Sequence, residues 1–61
     1  MTKPQARQIE LAQRYIALGL IDVAARSVSA LIRCALRQKD IEEIRAFAEA
    51  HGLTNHPDFI V

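Results

Sequence analysis

Sixty-one residues, 51% of them hydrophobic and 25% charged with a net charge of +1, form at most one domain, and a chain this short buries only about 60% of the surface its unfolded form exposes. So small a chain has little volume for a catalytic cleft, and a lone cysteine, Cys34, excludes an internal disulfide framework or a zinc-finger spacing. Stability must come from regular helix packing or from self-association, and self-association is the expectation.

The first residues, Thr2-Lys3-Pro4-Gln5, place a glutamine three positions after a threonine and a proline in the first turn, which together start a helix. Its apolar stripe comprises Ile9, Leu11, Ala12, Tyr15, Ile16 and Leu18, with Arg7, Glu10, Gln13 and Arg14 opposite and Glu10 expected to pair with Arg14. Gly19 is the stop, since glycine takes the left-handed conformation that closes a helix. The first helix is expected over about 3–18. The link to the next is then so short that the two should be antiparallel neighbours.

The second segment, IDVAARSVSALIRCALRQ, is the centre of the chain. Stepping roughly 100° per residue, Ala24, Ala25, Val28, Leu31, Ile32, Ala35 and Leu36 share one arc, and Arg26, Arg33 and Arg37 lie on the other side. A helix over about 22–38 follows, with Asp22 as its cap. Cys34 falls at the edge of the apolar arc as a partly exposed thiol.

No glycine or proline separates this helix from the next, but phase demands a break. In one unbroken rod the later stripe of Ile41, Ile44, Phe47, Ala48 and His51 would point roughly 150° from the earlier one, and one core cannot receive both. Asp40 with Glu43 three residues later is a capping box for a third helix over about 41–51, closed by Gly52 with Leu53 folding back. The tail, 53–61, is irregular around Pro57 and ends in Phe59, Ile60 and Val61. These three apolar residues either cover the open edge of the core or reach a neighbouring subunit; capture of the tail by a peptide-binding domain is a further option.

The predicted fold is therefore all-α: a three-helix bundle built on an antiparallel helical hairpin, one domain over 1–61, with a short irregular apolar tail. No run approaches the ~20 apolar residues of a membrane span. The start of the chain has no apolar stretch of the secretory kind, so a cytoplasmic setting is expected.

Charge is unevenly spread, with seven basic and two acidic residues through Lys39 against one basic and five acidic from Asp40 onward. Helix-dipole matching accounts for this by itself; attraction between the two halves, within or between chains, is the alternative. Cys34, His51 and His56 have no regular ligand spacing, so no metal site is expected. No phosphate loop or nucleophile elbow is present, and no cofactor and no enzymatic activity are expected.

Two partial resemblances bear on function. Asp22-Val23-Ala24-Ala25 and Ser27-Val28-Ser29 are similar to fragments of a DNA-binding helix-turn-helix, although Ala25-Arg26-Ser27-Val28 continues the helical pattern where that motif turns. Leu11, Ala12, Tyr15, Gly19, Ala24 and Val28 are spaced much as in the helical hairpin of a tetratricopeptide repeat, which implies close helix packing. That spacing covers under half of the chain, Leu31 departs from it, and nothing recurs one period later. The expectation is a small cytosolic, non-enzymatic interaction or regulatory module, most often a homodimer. Arg26, Arg33 and Arg37 would meet an acidic protein surface, and a nucleic-acid-binding regulator using the same arginines is the alternative. The bland reading of that stripe is a solvated helix back.

Overall fold

A computed structural model describes all residues, 1–61. Three α-helices, α1 (Lys3–Ala17), α2 (Ile21–Cys34) and α3 (Gln38–Ala50), are followed by a 3-10 turn at Leu53–Asn55. The fold is all-α, 74% helical and without strands. Its radius of gyration of 10.3 Å matches the roughly 10.5 Å of a folded chain this long.

Each boundary has a local cause. Thr2 Oγ1 accepts from the Gln5 N–H at 3.3 Å and Gln5 Oε1 accepts from the Thr2 N–H at 2.9 Å, so the capping box at the start of α1 is closed. At the other end Gly19 takes φ +80°, the N–H of Leu20 reaches the carbonyl of Tyr15 at 2.8 Å and that of Gly19 reaches Ile16 at 3.0 Å. These bonds satisfy carbonyls the helix would otherwise leave open. The chain then needs only Leu18, Gly19 and Leu20 to enter α2.

The second boundary differs from the sequence expectation of 22–38 and 41–51. α2 ends at Cys34, Ala35 is extended at ψ 136°, and α3 begins at Gln38 after the extended Arg37. The apolar pattern had carried the helix through Ala35 and Leu36, yet Leu36 is 96% exposed. Ending α2 early lets α3 start one turn sooner. Asp40 thereby enters its first turn, where a carboxylate is favoured by the helix dipole, and forms no capping box with Glu43. Asp22 likewise lies in the first turn of α2, behind an N-cap at Leu20, and makes no capping hydrogen bond. Glu10 and Arg14 do not form the expected ion pair.

α2 is the element against which α1, α3 and the 3-10 turn all pack, while α1 and α3 scarcely meet. The core consists of Ile9, Ala12, Ala24, Ala25, Val28, Ile32, Ile44, Ala48 and Leu53. Four of these nine are alanines, so the helices approach closely and little apolar surface is removed from water per residue. Leu31 and Phe59 are half-buried at its edge. Ser29, also buried, donates to the Arg26 carbonyl at 3.0 Å. No helix is long and apolar enough to cross a membrane.

Candidate interaction surfaces

The three arginines singled out from sequence are separated by the structure. Arg37 is not on α2 at all; it precedes α3 and donates through Nε to Oδ2 of the buried Asp40 at 3.0 Å. Arg26 and Arg33 remain on α2. Arg26 pairs with Asp22 at 3.4 Å, one helical turn away, and approaches Asp58 at 4.0 Å. Arg33 Nη1 donates to the backbone carbonyl of Ile60 at 2.6 Å. All three therefore have partners inside the chain, although Arg33 keeps a charge that no carboxylate neutralises.

Asp40 is the one buried charge, 2% exposed. Besides Arg37 it faces the Met1 ammonium, 3.2 Å from Oδ1, which also lies 3.1 Å from Glu43. Oδ1 accepts no well-directed hydrogen bond, so charge carries most of its compensation. Burial pushes the Asp40 carboxyl up, but the Met1 ammonium and the Arg37 guanidinium outweigh it together and hold the group below its ordinary value of 3.8. The hydrogen bond to Glu43, and then the close Asp40 carboxylate, hold the Met1 ammonium above 8.0.

The tail divides. Phe59 packs against the core edge, whereas Ile60 and Val61 are 62% and 58% exposed. The Arg33 hydrogen bond ties this end of the chain to the last turn of α2, three residues before Leu36. Leu36, at the link between α2 and α3, is likewise exposed. Leu18, 74% exposed, and Leu20 mark the α1–α2 turn.

Sequence reasoning had not singled out a groove between α1 and α2. It has a volume of about 270 Å³ and is lined by Gln8, Ser27, Ala30, Leu31 and Cys34. The small side chains of Ser27 and Ala30 keep it open. Their regular spacing beside Cys34 was the available signal, hidden because small residues read equally well as core. Cys34, the last residue of α2, is an exposed free thiol.

The remaining candidate ligands are dispersed. His51 is exposed and its ring lies 4.5 Å from that of Phe47, instead of bonding the last carbonyls of α3. His56 Nδ1 accepts from the Asp58 N–H at 3.1 Å. No three His, Cys, Asp or Glu side chains come together as a metal site. Comparison with known proteins gives no match: no family model, curated protein or solved structure matches the chain.

Proposed function

We propose that the chain is a small, non-enzymatic helical interaction module that acts as a homodimer in the cytoplasm. The observation that carries this reading is the exposure of Leu36, Ile60 and Val61 to water around a core that is nearly half alanine. Burial of these exposed aliphatic side chains against a second copy would supply apolar contact the monomer lacks. A two-fold axis would let each copy cover exposed side chains of the other. The antiparallel α1–α2 hairpin is the rigid part of the module in this reading, and Arg33 holds the tail through the Ile60 carbonyl.

Molar mass by light scattering across a tenfold concentration range tests the proposal. The expected result is twice the chain mass of 6.8 kDa, unaffected by salt, and a shift to the monomer on replacing Leu36 by Glu. A monomer at every concentration refutes it.

A second reading, nucleic-acid binding, is favoured by Lys3, Arg7 and Arg14, none of which has a carboxylate partner. It requires a steep salt dependence, with log K falling by about 0.9 per phosphate contact for each tenfold rise in salt. Binding to a DNA duplex that ignores salt would exclude it.

A further inference from the structure

We propose that the α-amine of Met1 is a modification site gated by the fold: seated against Asp40 and Glu43 it is closed to acylation, and once acylated it no longer seats there. The proposal is independent of the homodimer reading.

Two helix starts build the seat. Thr2 and Gln5 close the capping box of α1 with hydrogen bonds of 2.9 and 3.3 Å, which fix the backbone of Thr2 and so the direction in which Met1 leaves the helix. Asp40, in the first turn of α3, and Glu43, three residues further on, share one face of that helix. The Met1 ammonium lies 3.2 Å from Oδ1 of the first and 3.1 Å from Oε1 of the second. Oδ1 is buried and accepts no well-directed hydrogen bond, so the ammonium is the charge that compensates this oxygen, while Arg37 holds Oδ2.

Seating and acylation exclude one another chemically. In transfer from an acyl thioester the amine nitrogen attacks the acyl carbon, the C–N bond forms as the C–S bond breaks, and the nitrogen's proton leaves with the sulfur as a thiol. The nucleophile is the unprotonated amine, whereas the two carboxylates hold the protonated form. Met1 is otherwise 41% exposed, so a donor reaches the nitrogen once it leaves them. Acylation in turn replaces a charged group with three donors by a neutral amide with one. Asp40 then keeps only Arg37 although it stays buried, a costly state for a carboxylate. Because the two events are coupled, whatever opens the seat promotes acylation, and acylation favours the open seat.

The test treats the full chain at pH 7 with a limiting amount of acetic anhydride, folded and in guanidinium chloride, and compares acetyl incorporation at Met1 with that at Lys3 and Lys39. These two exposed lysines have no carboxylate partner and serve as internal standards. In the denaturant Met1 should take the label first, since an ordinary α-amine loses its proton more readily than a lysine. In the folded chain its share should fall severalfold. Glu43→Gln, at an exposed position, should restore part of that share, and Glu42→Gln, beside it but not in contact with the amine, should leave it unchanged. Chain acetylated at Met1 should show displaced amide signals at Asp40, Glu43 and the first turn of α1. The same Met1 share in the folded and unfolded chain, an equal effect of the two glutamines, or an acetylated chain whose Asp40 and Glu43 signals do not move would each overturn the proposal.

Discussion

The guanidinium of Arg37 donates to the carboxylate of Asp40 at 3.0 Å, so a residue expected to face a partner neutralises the only buried charge of the fold. Asp40 also faces the Met1 ammonium, and through it the beginning of the chain is tied to α3. Two helices that scarcely pack on one another are thereby connected by charge.

This cluster gives stability a defined pH window. Asp40 is depressed in the folded state, so its contribution is fully present above its ordinary value of 3.8 and is lost as pH falls through the lower folded value. Met1 is raised, so its contribution is fully present below 8.0 and is lost as pH rises through the higher folded value. Tm should therefore be flat in the interval between and fall on both sides. Acetylating the Met1 amine should remove the alkaline fall, and Arg37→Ala should move the acid fall to higher pH. A Tm profile above pH 8 that acetylation leaves unchanged would contradict the ammonium's role.

Leu53 is fully buried although it lies beyond α3 in the 3-10 turn. Leu53→Ala should cost about 2–5 kcal/mol in denaturant unfolding, a large part of the stability of so small a domain. Leu31→Ala, at the half-buried groove floor, should cost roughly 1 kcal/mol, and Leu36→Ala under about 0.5 kcal/mol in the monomer. Equal costs at Leu53 and Leu36 would contradict the burial of the first and the exposure of the second.

The tail should separate folding from assembly. Phe59→Ala should destabilise by about 1.5–2.5 kcal/mol, half the cost at a fully buried phenylalanine. Deleting Ile60 and Val61 should cost the monomer less than about 1 kcal/mol, mostly the lost Arg33 hydrogen bond, while lowering the measured molar mass at a given concentration. If the deletion leaves the mass unchanged, these two residues have no part in assembly.

Gly52 closes α3 at φ +71°, with open space where a Cβ would stand. Gly52→Ala should still cost about 1–2 kcal/mol, all of it from the left-handed backbone. Thermal unfolding that shows no loss would imply that the turn can relax out of this conformation.

Helix identity was legible because the stripes of α1, α2 and α3 follow the helical period and because Thr2, Gly19 and Gly52 are strong end signals. The boundary between α2 and α3 was not. Ala35 and Leu36 extend the apolar pattern of α2, whereas the actual end depends on Asp40 finding Arg37 and the distant Met1 amine, a long-range arrangement that no local pattern encodes. The surface was read less well for a related reason. Helical phase shows that Arg26 and Arg33 share a face, but not that Asp22, Asp58 and the Ile60 carbonyl come to meet them. The groove became apparent only when Gln8 on α1 was set beside Ala30 and Leu31 on α2.

The placement of α2 between its neighbours has a dynamic consequence. With α3 resting on α2 less extensively than α1 does and scarcely touching α1, α3 can detach as a cooperative unit while α1 and α2 stay folded, so the slowest-exchanging amides should belong to α2 and those of α3 should exchange through a lower-energy opening. The groove is built from the two helices that stay together, so it would persist through that opening.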